Sequence, residues 1–516
     1  MTNICESFKK NKRISLYFWL LLILGIVLRC VLFGVIPGGI NRDEAYAGYE
    51  AYALFRFGMD SAGYHFPVYL VTWGSGMNAL ESYLMIPFIA LFGLNSFSVR
   101  LPQLIIGIIS LPVLYKLVTR LYNSRTGIIA MGLLTVCPWH IMMNRWGLES
   151  NLAPGMILFA TFFLVKGLDK RGYLILSAFF YGLSLYAYAT IWTIVPFIML
   201  FEIIYLLFTR KIRIDFSFII SVIVFIILSV PLVLFVMVNI GWINEIKTTY
   251  FSIPKMPVFR SDEVGLANIG ENIRYSMYVL FAQYDGLVHN GIAGFGTIGF
   301  ITFVFSVFGC LILGRNIRQT LKRDSRGFCP DVIIAINLIL PLFLGLTIQV
   351  NINRINIVFI PLIIVASLRF AEIDKRNISF ILIGIYAVMT IGFEAVYFTS
   401  YKDRMAISSG IGLQEALAEA DKRTGRVYLS YDIYHSQVLF YEKTSVIEYY
   451  ESVIFEDDPS GLLYPIQFSK FSFLVDLDDP DPSGTYILNN VVDIAPLEEK
   501  GYKISSYGIY NVAYKD

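Results

Sequence analysis

Along this chain, apolar runs of about 20 residues or slightly fewer alternate with short polar segments, a period that belongs to membrane-crossing helices rather than to a soluble core. The runs fall at 14–36, 98–119, 126–143, 151–167, 172–189, 191–208, 216–239, 292–314, 331–349, 355–370 and 378–398, predicting eleven transmembrane helices. One further apolar stretch, Ala79 to Leu94, is short, with Glu81 near its start and Pro87 in its middle. It reads as a juxtamembrane or re-entrant segment within one long outer loop spanning 37–97; counting it as a crossing gives a twelve-span alternative.

Basic residues gather between the runs: Lys9 to Arg13, Lys116/Arg120/Arg125, Lys166/Lys170/Arg171, Arg210/Lys211/Arg213, Arg315 to Arg326, and Lys375/Arg376. Such clusters mark cytoplasmic loops, and eleven alternating spans put all six on one side, with the N-terminus in and the C-terminus out. The first run reaches Pro37 without a small-residue cleavage site, so it reads as an uncleaved span. From Tyr401 the pattern changes, as charge rises and apolar runs shorten. Ser408–Lys422 and His435–Tyr441 predict helices, and Arg426–Tyr431, Phe471–Asp476, Thr485–Leu488 and Ile509–Tyr514 predict strands. The expected organisation is a transmembrane domain over 1–398, with a large outer loop at 241–291, followed by a small extracytoplasmic α/β domain over 399–516.

Composition supports this picture: 56% of the 516 residues are hydrophobic and only 16% charged, against about 25% charged in a typical soluble protein. A net charge of +2, with its cations in topogenic clusters, disfavours nucleic-acid binding. The five cysteines show no CxxC spacing, so neither a disulfide framework nor a zinc site is indicated.

Three polar constellations fall on the expected outer face. The first is Asp43-Glu44, two adjacent carboxylates where the chain has just left the membrane. The second is Glu149, four residues after Arg145; on a helix that spacing would set the two on one face. The third is Arg354 among Asn351, Asn353 and Asn356, a planar donor fork suited to phosphate oxygens. Carboxylates to activate a hydroxyl and an arginine to hold a phosphate fit sugar transfer from a lipid phosphate, whose leaving group departs without needing a proton. Asp43 would be the base and Arg354 would stabilise the departing phosphate.

These residues carry a resemblance. Asp43-Glu44 after the first span, Phe97-Ser98-Val99-Arg100-Leu101-Pro102 opening the next, Arg145 to Glu149, and the Asn353 to Pro361 run together resemble the polyprenyl-phosphate-dependent glycosyltransferases of GT-C fold, specifically the bacterial protein O-mannosyltransferase-like and aminoarabinose-transferase-like enzymes. The likeness spans about 14–370. It implies a GT-C membrane protein using a donor such as undecaprenyl phosphate bearing one sugar, on the outer side of the cytoplasmic membrane. It further implies that Asp43, with Glu44 beside it, is the first-loop acid, Glu149 the second-loop acid and Arg354 a phosphate contact. Where the family often carries Lys-Pro-Pro, this chain reads Val71-Thr72-Trp73-Gly74-Ser75-Gly76-Met77-Asn78, so His65 or Arg100 would substitute as donor-phosphate contact. Tyr284, Asp285 and His289 are candidates for an acceptor cleft, although turn-forming residues explain that stretch equally well. Asp43 and Glu149 offer the oxygen donors that divalent cations prefer, but two carboxylates alone do not make a metal site. The partners expected are the lipid-linked sugar, the bilayer and a protein, lipid or glycan acceptor. The rival functions are a lipid or saccharide transporter and a glycan ligase or polymerase.

Overall fold

The structure, a computed structural model, describes residues 12–260, 265 and 267–515; Cys5, Lys9 and Lys10 lie outside the described residues. Among the described residues nine helices are long and apolar enough to cross a membrane: Lys12–Cys30, Ser96–Leu121, Glu149–Gly167, Ala189–Phe208, Phe216–Asn239, Phe300–Arg323, Pro330–Thr347, Ile352–Ala371 and Arg376–Phe398. Eleven were expected, and the two runs that differ do so for local reasons. The 126–143 run is broken into Ser124–Thr135 and Pro138–Met143, with Cys137 extended ahead of the proline; a residue before proline is pushed out of the helical region. In the 172–189 run the helix ends at Ser184, after 12 residues, and a 3-10 turn takes over at Ala189. The Ala79–Leu94 stretch forms a 13-residue helix, Leu80–Phe92, about 20 Å long and shorter than the hydrocarbon layer.

The chain divides into two compact units. The first comprises Met1–Val31, Gln103–Val230 and Ser261–Phe398. Its helix packing depends on small residues that let backbones approach, as at Gly309, where a Cβ would collide with the Val365 carbonyl of the neighbouring helix. A fully buried arginine in this unit is explained by the break at Pro138. Proline has no N–H to offer the Leu134 carbonyl, and the Trp139 N–H goes instead to the Thr297 carbonyl at 2.9 Å. Arg29 serves the two carbonyls that lack their helical i+4 donors, donating to Leu134 O at 3.0 Å and Thr135 O at 3.1 Å, and lies 2.6 Å from His140 Nδ1. A carbonyl left unpaired at this depth costs several kcal/mol, a cost these bonds remove.

The second unit comprises Leu32–Pro102, Pro231–Arg260 and Thr399–Asp516. Two short hairpins, β1 (Tyr69–Leu70) with β2 (Met77–Asn78) and β3 (Ile246–Lys247) with β4 (Ser252–Ile253), are joined by the Val68 N–H to Ser252 carbonyl bond of 3.0 Å. The C-terminal segment builds a seven-stranded mixed sheet from β5 (Val427–Leu429), β6 (Ile454–Phe455), β7 (Pro465–Phe468), β8 (Phe471–Ser472), β9 (Thr485–Asn489), β10 (Lys503–Tyr507) and β11 (Tyr510–Tyr514). Their order is β10-β11-β9-β5-β8-β7-β6, with β5 parallel to both β8 and β9. The first-loop helix Arg42–Phe57 packs on the C-terminal helix His435–Glu442, and a Cβ on Gly48 would press into the Phe440 ring. Polar bonds reinforce the contact: Gln437 Nε2 to Ile40 O at 2.7 Å, Ser436 Oγ to Arg42 O at 2.9 Å, and Tyr49 Oη to Thr444 O at 2.9 Å.

Candidate functional site

In the second unit, Asn41 caps the Arg42–Phe57 helix, its extended backbone letting the side-chain oxygen accept the Asp43 N–H at 3.0 Å. Asp43 and Glu44 therefore occupy the first turn, where the helix dipole favours negative charge. The two acids then part company. Glu44 is fully buried and receives Arg100 Nε at 2.6 Å and Nη2 at 2.8 Å, while Arg100 also donates to the carbonyls of Pro37 at 2.8 Å and Gly39 at 3.1 Å. Glu44, expected beside Asp43 as a catalytic acid, is thus sealed in an ion pair, and Arg100, expected as a substitute phosphate contact, is that pair's buried partner. Desolvation explains the difference: two charges this far from water persist only by satisfying one another.

Asp43 keeps 35% of its side chain exposed, with its Oδ1 3.9 Å from Arg42 Nε. Partial burial raises its pKa, while Arg42 and Arg260 pull the other way. His65, the other proposed phosphate contact, is half-buried with Nδ1 3.0 Å from the Gly58 carbonyl.

In the first unit, Glu149 opens a 3-10 turn, Glu149–Asn151, and is half-buried. The same-face argument for Arg145 and Glu149 fails, because the backbone from Asn144 to Leu148 is not helical. Arg145 is buried, donates to the Arg29 carbonyl at 2.9 Å and lies over the Tyr397 and Phe398 rings. The Glu149 turn is tied to the late arginine segment by Asn356 Nδ2, which donates to Ser150 O at 2.8 Å. Arg354 sits on the short helix Ile352–Ile355, half-buried, with Nη1 3.0 Å from the Gln349 carbonyl. Asn351 caps that helix through the Arg354 N–H at 2.9 Å.

Asp285 has an architectural job in the same cluster. Its Oδ2 accepts the Ile352 N–H at 2.9 Å and Asn290 Nδ2 at 2.8 Å, so this candidate for an acceptor cleft anchors the Arg354 helix. His289 is buried with its ring 4.7 Å from that of Trp146, whereas Tyr284 stays half-buried. Among the described residues no group of three or more His, Cys, Asp or Glu side chains could hold a metal.

Two features of the second unit went unread in the sequence. Glu50 and Asp60 are both buried beside Ser61, whose N–H donates to Glu50 Oε2 at 2.9 Å and whose hydroxyl bonds Glu50 Oε1. Burial pushes both carboxyls up, and for Glu50 repulsion from Asp60 adds to the rise. Around Trp73 an aromatic cluster forms from residues about 360 positions apart, which no local pattern could have announced. The only signal for the first was Glu50 itself, an acid recurring at helical spacing from Tyr46 and Ala47 on a face otherwise apolar.

Residues 80–234 match the family model described as dolichyl-phosphate-mannose-protein mannosyltransferase. Among curated protein sequences none matches the chain. Among solved structures, the chain is similar to ArnT from Cupriavidus metallidurans bound to undecaprenyl phosphate, with a TM-score of 0.61 at 13% identity, covering 97% of this chain and 98% of that one. The same enzyme in the apo state gives 0.53 at 13% identity over 97% of each chain. The Archaeoglobus fulgidus oligosaccharyltransferase tethered to an acceptor peptide gives 0.50 at 12% identity, over 85% of this chain and 64% of that one. At these identities the likeness is one of fold, and it is the fold that the first-loop acids and the Arg-Leu-Pro opening suggested. The chain has the fold of the polyprenyl-phosphate-dependent GT-C glycosyltransferases, and its residues 80–234 carry the protein mannosyltransferase family match.

Proposed function

We propose that the protein is a membrane glycosyltransferase that moves one sugar from a polyprenyl-phosphate donor to an acceptor on the outer side of the cytoplasmic membrane. In the reaction, an acceptor hydroxyl oxygen bonds to the anomeric carbon of the sugar as the bond from that carbon to the phosphate oxygen breaks. The electron pair leaves with the polyprenyl phosphate, and the hydroxyl proton passes to Asp43. Arg354 balances the charge left on the phosphate, and Glu149 orients the reacting groups.

The observation that carries this reading is the different fate of two neighbouring acids. Glu44 is locked to Arg100, whereas Asp43 keeps a partly exposed carboxylate with a raised pKa at the head of a capped helix. A base whose pKa is moved toward the working pH abstracts a proton better than an ordinary aspartate. Binding of undecaprenyl phosphate by the structurally similar enzyme supports the donor class.

The test is mass spectrometry of lipid co-purified with the protein, followed by transfer assays with undecaprenyl-phosphate hexoses. A polyprenyl phosphate bearing one sugar, consumed by wild type and not by Asp43→Asn, is the expected result. Full activity of Asp43→Asn removes the base, and a co-purified amphiphile without any sugar phosphate favours transport.

A further inference from the structure

The β1–β2 hairpin turns through Trp73 and Gly74, both with left-handed backbone, φ +53° and +78°. Glycine adopts this readily, but tryptophan does so at an energetic cost, and such positions cluster at ligand clamps. The turn is held from two sides, by the Leu463 N–H on the Trp73 carbonyl at 3.1 Å and by the Val258 N–H on the Gly74 carbonyl at 2.9 Å. The fold therefore keeps an indole in a strained place and braces it there.

What surrounds that indole is organised in two tiers. Beneath it lie buried rings: His435 at 4.7 Å and Tyr46 at 5.6 Å between centroids. Burial pushes the His435 pKa down to about 3, so this floor is uncharged. At the rim, Trp73 and Tyr434 stay partly open with centroids 5.6 Å apart, and Tyr464, 6.3 Å from Trp73, is 39% exposed. Arg42 joins this rim to the proposed base: its Nη1 donates to Tyr434 Oη at 2.7 Å and its Nε lies 3.9 Å from Asp43.

We infer that the Trp73–Tyr434–Tyr464 rim, next to Arg42 and Asp43, is a binding platform for a sugar ring. A pyranose has an apolar C–H face and a polar edge of hydroxyls. Aromatic faces accommodate the first, and a half-exposed guanidinium with a carboxylate can bond the second, a combination that suits neither a bare phosphate nor a lipid tail. The assignment of this ring to the reaction rests on the proposed transferase function. The ring belongs either to the donor sugar or to a saccharide acceptor, and both have the same chemistry. In either case two of the three rim residues come from the segment after Thr399, which gives the C-terminal part of the chain a direct part in substrate selection.

The experiment uses the full-length protein in detergent or vesicles, with the variants Trp73→Ala, Trp73→Phe and Tyr434→Leu. The binding probe is saturation-transfer NMR with methyl mannopyranoside and methyl glucopyranoside. Wild type is expected to transfer saturation to ring C–H protons, and Trp73→Ala to lose at least about tenfold of that signal while Trp73→Phe, equally strained, keeps most of it. In kinetics with an undecaprenyl-phosphate hexose, a tenfold rise in KM for donor hydrolysis assigns the ring to the donor; a rise confined to the acceptor KM assigns it to the acceptor. Unchanged binding and KM in Trp73→Ala overturn the platform while leaving the transferase reading intact. Glycoside binding that is lost in Trp73→Ala, in a wild-type protein that neither hydrolyses nor transfers, keeps the platform and overturns the transferase. Equal loss in Trp73→Ala and Trp73→Phe, with lowered thermal stability in both, overturns the platform in favour of packing.

Discussion

Arg100 grips Glu44 through two nitrogens, Nε to Oε1 at 2.6 Å and Nη2 to Oε2 at 2.8 Å, with neither side chain exposed. The pair joins the head of the first-loop helix to the start of the Ser96–Leu121 helix, and the remaining Arg100 donors tie down the carbonyls of Pro37 and Gly39. The residue that looked most like chemistry in the Arg-Leu-Pro motif is therefore a brace for the segment that presents Asp43.

Removing one partner of such a pair leaves a buried uncompensated charge, at about 3–5 kcal/mol. Arg100→Ala is accordingly expected to lower the thermal unfolding temperature and the folded yield steeply. The double variant Glu44→Gln/Arg100→Met should recover part of that loss. Calorimetry or dye-based melting in detergent reads both, and equal melting of Arg100→Ala and wild type contradicts the buried pair.

Asp43 should set the acid limb of the pH profile. Its pKa is raised by burial, and a base works only when ionised, so activity falls as pH drops through that raised value. The limb is expected above the ordinary aspartate value of about 4. Asp43→Glu should shift the limb while retaining some turnover. A kcat/KM profile flat from pH 4 to 8 refutes the role.

Arg354 offers a fork where lysine offers a point charge. Arg354→Lys should raise the donor KM by about tenfold and Arg354→Ala by more, with melting temperature nearly unchanged, because its side chain is half-buried and its helix is capped by Asn351 and Asp285. Asp285→Ala should produce a weaker form of the same defect through the helix. If Arg354→Ala lowers kcat alone, the arginine acts on the transition state and not on donor binding.

Glu50 and Asp60 predict a pH-dependent stability. Burial raises both carboxyls, and Asp60 adds to the rise at Glu50, so between about pH 4 and the raised values the folded state holds protons that the unfolded chain releases. Stability is thus greater at the acid side of that window and declines as pH rises through it. The melting temperature of wild type should fall from pH 5 to pH 8 more than that of Asp60→Asn. Parallel curves for the two proteins would exclude the contribution of Asp60.

Much of this was legible in one dimension because hydrophobic length is a local property. The runs at 216–239 and 378–398 reappear as Phe216–Asn239 and Arg376–Phe398, since a helix in lipid needs only its own backbone bonds. The 126–143 run misled for an equally local reason, the proline at 138. Arg145 and Glu149 misled because their pairing assumed a helical backbone that ends at Met143. The C-terminal strands β5, β9 and β11 were readable from β-branched and aromatic runs, whereas β7, opened by Pro465, and β10, with Lys503, Ser505 and Ser506, were not.

By itself the sequence determined that the chain lives in a membrane, where most of its crossing helices lie, and that an Asp-Glu pair stands at the first exit. Only the tertiary structure decided which acid of that pair is spent on Arg100 and which is left open, and that Trp73 shares a cluster with Tyr434. The physical reason is that spanning propensity is a sum over neighbours in the chain, while burial, and with it the state of a charge, depends on residues the chain brings back from hundreds of positions away.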